Sequence, residues 1–308
     1  MTRVAAIDCG TNSIRLLIAE PNGSGGLKDL GRWLEIVRLG QGVDASGEFH
    51  SDALQRTFTA AESYAELIKE ADVPAEKVHF VATSATRDVK NRETFFAGIK
   101  ERLGVLPDVI SGETEARLSF LGVLSRVKPQ GEPVLVMDIG GGSTELITGS
   151  ANGDMHNAIS LDIGSVRITE RFLKQNPAAD DDLERATAYI DDLLAGSAVD
   201  FSSIGTWIGV AGTATTLAGV YLELERYDPE RVHGSRIPVP AIDELLHRLA
   251  GMTVDEIRAL PSMHPGRADV ITGGALVESR IGARLSVSDL IISESDILDG
   301  IALELLGR

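Results

Sequence analysis

Two short stretches of this chain repeat one another, and the repeat narrows the folds open to it. Val4-Ala5-Ala6-Ile7-Asp8-Cys9-Gly10-Thr11-Asn12-Ser13 parallels Val134-Leu135-Val136-Met137-Asp138-Ile139-Gly140-Gly141-Gly142-Ser143. The two aspartates are 138 − 8 = 130 residues apart. In each copy an apolar run of strand length ends in Asp-x-Gly and small polar residues, and a second run follows, over 14–19 and 144–148. Strand, Gly-containing turn and strand read as a β-hairpin. Two such hairpins, each opening an α/β half, predict duplicated lobes facing a cleft. The alternative is two unrelated hairpins that share a turn dipeptide.

The rest of the pattern is α/β. Helical periodicity covers 50–71, with Leu54, Phe58, Ala61, Ala65 and Ile68 on one face. Residues 78–82 read as a buried strand, followed by a helix to about Leu103, a short extended piece at 108–111 and a helix over 113–127. The densest turn signals of the first half, Lys128-Pro129-Gln130-Gly131-Glu132-Pro133, come just before the second copy of the repeat. At ~100–200 residues per domain, 308 residues make about two. The expected lobes are 1–122 and 123–308, with the last helix free to pack back on the first lobe.

Composition removes several classes. Net charge is 29 − 46 = −17, which disfavours non-specific nucleic-acid binding. The single Cys9 forms no intramolecular disulfide and no cysteine-rich zinc site. No apolar run approaches the ~18 residues of a membrane span, and a strand begins almost at once, without a signal-peptide core. A soluble cytoplasmic protein is expected, with an apolar second half compatible with a homodimer.

The chemistry gathers at the repeats. In Gly140-Gly141-Gly142-Ser143-Thr144, three glycines let the backbone approach a ligand closely and turn its N–H groups into an anion-binding concavity. Thr11, Asn12 and Ser13 supply donors in the matching loop, and Arg15 follows on the next strand. Thr83-Ser84-Ala85-Thr86-Arg87 and Gly212-Thr213-Ala214-Thr215-Thr216 each follow a strand and open a helix, where anions are favoured; ordinary capping by Ser84 or Thr86 is the alternative. Ser111-Gly112-Glu113-Thr114-Glu115-Ala116 opens a further helix, and acidic residues there also suit the helix dipole alone. Phosphoanhydride hydrolysis needs one group to orient water, and a carboxylate beside the loops serves. Asp8, Asp138 and Glu145 can hold Mg²⁺, which takes one or two carboxylates and keeps several waters. A −17 chain that takes a polyanion also needs a basic lip, expected from Arg87, Lys90, Arg92, Arg117, Arg167, Arg171 and Arg267.

The segments Asp8-Cys-Gly-Thr-Asn-Ser-Ile-Arg-Leu, Ser111-Gly-Glu-Thr-Glu-Ala-Arg, Asp138-Ile-Gly-Gly-Gly-Ser-Thr-Glu and Pro265-Gly-Arg-Ala-Asp together resemble the exopolyphosphatase/guanosine pentaphosphate phosphatase family. The resemblance covers essentially the whole chain. It implies two ribonuclease-H-like lobes of the actin-like ATPase superfamily around a central cleft, and hydrolysis of terminal phosphate from inorganic polyphosphate with Mg²⁺. The alternatives are guanosine pentaphosphate hydrolysis, a small-molecule kinase of the same superfamily, and a non-catalytic nucleotide sensor. By the resemblance, Glu115 is the catalytic base, with Glu145 a second catalytic carboxylate. Asp138 and Glu145 hold the metal, with Asp8 beside them. Asn12, Ser13, Arg15, Arg87, Gly140, Gly141, Gly142, Ser143 and Thr144 line the phosphate by the same resemblance, and the helix start at Gly212 and Thr213 is expected to join them. Two departures stand out. The helical C-terminal domains of many members are absent from this sequence, and Leu298-Asp299-Gly300 replaces an expected Arg-Glu-Gly.

Overall fold

The computed structural model describes residues 2–23, 26–87 and 89–307, side chains at 44, 45, 84 and 85 excepted. The chain forms two units, Met1–Arg126 with Asp296–Arg308, and Val127–Ser295. The division falls just after the helix Gly112–Leu124.

The first unit is built on β1 (Val4–Cys9), β2 (Ser13–Pro21), β3 (Leu27–Ile36), β4 (Val78–Ala82) and β5 (Asp108–Val109), in the order β3-β2-β1-β4-β5. β1 to β3 are antiparallel, and β4 and β5 run parallel to β1. Alternation along β1 sends Ala5, Ile7 and Cys9 to one core and Val4 and Ala6 to another. The first core is closed by the helices Ser51–Glu70 and Arg92–Leu103, the second by Gly112–Leu124 and the terminal Ile297–Leu305. Asp8, an even position, therefore shares its face with the last two helices.

The second unit holds β6 (Val134–Ile139), β7 (Thr144–Gly149), β8 (Met155–Leu161), β9 (Thr206–Val210), β10 (Arg236–Pro238) and β11 (Asp289–Ile292). Its order is β10-β11-β9-β6-β7-β8. Read from the other edge, β8-β7-β6-β9-β11 repeats the first unit's order with the same strand directions, and β10 is an added antiparallel edge. Each unit thus carries the ribonuclease-H-like sheet that the repeat and the resemblance imply.

The helix expected from 84 to 103 is broken. It runs over Ser84–Arg87 and resumes at Arg92–Leu103. Between them the Lys90 N–H donates to the Gly47 carbonyl, and Asn91 both accepts from the Phe49 N–H and donates to its carbonyl, so the chain is diverted to meet 47–49. No helix among the described residues is long and apolar enough to cross a membrane.

Candidate functional site

In the second unit the Gly140 N–H donates to the Ser143 carbonyl at 3.0 Å and closes the turn. The carbonyls of the glycine loop are then taken by the start of the helix Ser165–Phe172. Gly140 O accepts from Ser165 N (2.9 Å), Gly141 O from Val166 N (2.9 Å), and Gly142 O from Arg167 Nε (2.7 Å). A trans peptide is planar, so its N–H points opposite to its C=O. The N–H groups of Gly141, Gly142 and Ser143 therefore face away from that helix as a row of donors. The close approach needs Gly164, where a Cβ would sit 2.3 Å from Gly141 O.

Asp138 and Glu145 lie directly opposite in the β6–β7 ladder and share a face beside these donors. Glu145 Oε1 accepts from Ser143 Oγ (2.6 Å) and from Ser160 Oγ (2.7 Å). Ser143 is thus committed to the carboxylate. Thr144, expected on phosphate, is fully buried and donates to Ile163 O at 2.6 Å, fastening β7 to the chain ahead of the Ser165–Phe172 helix. Ser160 escaped the sequence reading because β8 did.

The first unit repeats the turn. Gly10 N–H donates to Ser13 O at 3.0 Å. The Asn12 carbonyl accepts from Val37 N (3.0 Å) and Arg38 N (2.7 Å), and the Thr11 carbonyl from Gly40 N (2.8 Å). By the same peptide geometry, the Asn12 and Ser13 N–H groups face the other way, and the Asn12 side chain is exposed.

Asp8 and Arg15, expected at the metal and at the phosphate, pair with one another. Arg15 gives Nη2 to Asp8 Oδ2 at 2.7 Å and Nη1 to Asp296 Oδ2. Burial pushes the Asp8 carboxyl above its usual range, and Arg15 opposes that push. Asp8 thus pairs with Arg15 within its own unit, and Arg15 also reaches Asp296. Asp296 also caps the helix Ile297–Leu305. Behind it, fully buried Asp299 pairs with Arg32 at 2.6 Å and Arg126 at 2.9 Å. Burial would raise Asp29, but Arg32 and Arg126 hold it low. The Leu298-Asp299-Gly300 departure is therefore structural: Leu298 is core, Asp299 anchors two arginines, and a Cβ on Gly300 would meet Leu118 O at 2.0 Å.

Glu115 and Arg87, named separately from sequence, come together. Arg87 Nη2 donates to Glu115 Oε2 at 2.6 Å and Nε to Ile110 O at 3.0 Å. Both side chains are about one-third exposed, at 31%. Ser111 accepts from Thr114 N at 3.1 Å and fixes the start of the helix that carries Glu115. Arg87 ends a four-residue helix, too short for the macrodipole effect expected there. Thr86 is fully buried with an unpartnered hydroxyl, and the Ser84 side chain lies outside the described residues.

The loop at 211–216 differs from expectation. Thr213 is 2% exposed and donates Oγ1 to Ile139 O at 3.0 Å, tying the helix Ala211–Tyr221 to the end of β6. Gly212 packs against Arg267, whose guanidinium carbon would lie 1.8 Å from a Cβ there, so the flexible arginine would have to shift to admit a side chain. Much of the expected basic lip is paired: Arg92 with Glu93, Arg117 with Glu304 and Arg167 with Asp162. Arg171 lies over the Tyr189 ring.

Comparison with known proteins shows the family. Residues 17–308 match the Ppx/GppA phosphatase family. The chain is 46% identical over 321 residues to Exopolyphosphatase 2 of Mycobacterium tuberculosis, covering 100% of this chain and 99% of that protein. The crystal structure of the Aquifex aeolicus Ppx/GppA family member superposes with a TM-score of 0.88 at 31% identity, over 99% of this chain and 97% of that one. An exopolyphosphatase structure from Cytophaga hutchinsonii gives a TM-score of 0.86 at 28% identity, over 99% and 98%. With two sheets of one strand order, two turns closed by one hydrogen bond and this full-length similarity, the chain belongs to the Ppx/GppA phosphatase family, hydrolases of phosphoanhydride bonds.

Proposed function

We propose that this chain removes terminal phosphate from linear inorganic polyphosphate. The observation that carries the reading is the glycine loop, whose carbonyls are spent on the Ser165–Phe172 helix and whose N–H groups are thereby turned outward beside Asp138 and Glu145. Such a row binds phosphate oxygens without side-chain reorganisation. Asn12 and Ser13 do the same in the first unit. Glu115 orients and deprotonates the attacking water. Arg87 fixes the Glu115 carboxylate and shares its positive charge with the phosphoryl group as negative charge builds.

Among the described residues no group of three or more His, Cys, Asp or Glu side chains could hold a metal unaided. The Asp138–Glu145 pair would nevertheless suit Mg²⁺, which needs only one or two carboxylates from the protein. When bound, it neutralises charge on the transferring and leaving oxygens. Ser143 and Ser160 hold the Glu145 carboxylate in place. The reading sets the enzyme in the cytoplasm, where its buried thiol stays reduced, as a homodimer whose mass in solution can be measured.

The experiment is phosphate release from polyphosphate of defined length, with Mg²⁺ and with EDTA. Release that EDTA stops supports the proposal. Faster turnover of guanosine pentaphosphate assigns the activity to that substrate instead. Transfer only to an added alcohol makes the protein a kinase, and no turnover at all makes it a sensor.

A further inference from the structure

We propose that Arg38 is a specificity residue that binds the second phosphate of a phosphoanhydride chain. The inference rests on the phosphate-loop reading above and adds a residue to it. Arg38 follows β3 and has φ +50°, in the left-handed region that bulky residues avoid. Glycines stand two and four residues on, at Gly40 and Gly42, so the turn has residues suited to that region close by. What holds Arg38 there is the Asn12 carbonyl, which accepts from both Val37 N and Arg38 N. The strained residue is thus pinned to the first phosphate loop.

Its guanidinium is exposed and has no partner among the described residues. Every other described arginine of this unit does have one. Arg15, Arg32 and Arg126 hold buried carboxylates, Arg87 holds Glu115, and Arg56 donates to Val37 O and Gln41. Arg3, Arg92, Arg102 and Arg117 pair with glutamates. In a chain of net charge −17 a free guanidinium beside an anion loop is conspicuous. Arg38 stands on the carbonyl side of the loop, whereas the Asn12 and Ser13 N–H donors face the opposite side. On this proposal the long side chain reaches past the loop and meets the next group along the phosphate chain rather than the phosphate the donors hold. An arginine fork suits those oxygens.

The test is equilibrium binding of tripolyphosphate and of orthophosphate, in EDTA, to the wild type and to Arg38→Asn. Asn tolerates the left-handed conformation, so the fold is kept, as a thermal melt checks. Arg38→Lys retains the charge, and Lys100→Gln removes an equal charge from the helix Arg92–Leu103. We expect tripolyphosphate binding to weaken about ten-fold or more in Arg38→Asn, with partial recovery in Arg38→Lys and no change in Lys100→Gln. Orthophosphate affinity stays as in the wild type. Unchanged tripolyphosphate affinity overturns the assignment, and so does an equal loss for both ligands. Wild type that binds tripolyphosphate in EDTA yet does not hydrolyse it when Mg²⁺ is supplied refutes the proposed activity and leaves Arg38 standing; wild type that binds none refutes both. A parallel loss with guanosine pentaphosphate shows that Arg38 reads the shared phosphoanhydride, and a loss confined to one ligand names the source.

Discussion

Glu145 stands directly opposite Asp138 across the β6–β7 ladder. At the matching register of β1–β2 the residue opposite Asp8 is Arg15. The spacing is the same, 145 − 138 = 7 and 15 − 8 = 7. One hairpin neutralises its aspartate with its own strand, and the other sets a second acid against it. Opposed like charges are unfavourable by a few tenths of a kcal/mol to about 1 kcal/mol. Asp138→Asn is therefore expected to leave stability in EDTA unchanged or slightly higher, to abolish the rise in melting temperature that Mg²⁺ gives the wild type, and to reduce phosphate release. Thermal melts with and without Mg²⁺ read all but the last. A wild type indifferent to Mg²⁺ in the presence of polyphosphate would remove the metal from the proposal.

Glu115→Gln keeps an acceptor for Arg87 and removes the base. Loss of a positioned general base costs about 10²–10⁴ in rate, so kcat is expected to fall by that order with the melting temperature close to wild type. Near-wild-type turnover would return Glu115 to the ordinary role of an acid at a helix start.

Glu278 predicts a pH dependence of stability. It is fully buried in the helix Ile271–Gly282, neither oxygen has a hydrogen-bond partner, and burial raises its pKa to about 8. The unfolded carboxyl titrates near the ordinary glutamate value of 4.5. Between these values the folded state holds a proton that the unfolded state has lost. Stability is thus full below pH ~4.5 and falls by about 1.4 kcal/mol per unit as pH rises toward 8. Denaturant midpoints from pH 5 to 8 show this slope in the wild type. Glu278→Gln should flatten it, and an unaltered slope would place its origin elsewhere.

Gly122 and Gly300 mark where the Glu115 helix crosses the terminal helix. A Cβ at Gly122 would lie 1.9 Å from Asp296 O, and one at Gly300 would lie 2.0 Å from Leu118 O. Both obstacles are backbone, so the helices must separate. Gly300→Ala is expected to cost about 1–3 kcal/mol, seen as a lower denaturant midpoint, and to lower kcat by displacing the helix that carries Glu115. A midpoint equal to wild type would show that the crossing yields.

The parts legible in the sequence were those with strong local signals. The repeat gave β1, β2, β6 and β7 and the turns between them, because an apolar strand ending in Asp-x-Gly needs no tertiary information to be seen. β3 and β8 were not legible. They are edge strands, where Lys28, Asp29, Arg32 and Glu35 interrupt β3 and His156 and Asn157 interrupt β8, and charge on an edge erases the alternation that marks a strand. Arg38 and Ser160 were hidden with them. Residue type named the chemistry at Arg15, Asp8, Thr144 and Thr213, but partners 281, 7, 19 and 74 residues away decide how each is used.

The first unit ends with residues 296–308, although it begins at residue 1. Its second core lacks Ile297, Leu298, Ile301, Ala302 and Leu303 until that segment has been made. The second unit is one uninterrupted stretch of chain. As the nascent polypeptide leaves the ribosome at ~5–20 residues per second, the later-made unit therefore has all of its own material first. The amino-terminal portion must wait, with the Val4 and Ala6 face of its sheet uncovered, until the helix Ile297–Leu305 has been made. Birth order and the order of completion are inverted, and loss of the helix Ile297–Leu305 would damage the half of the protein synthesised first.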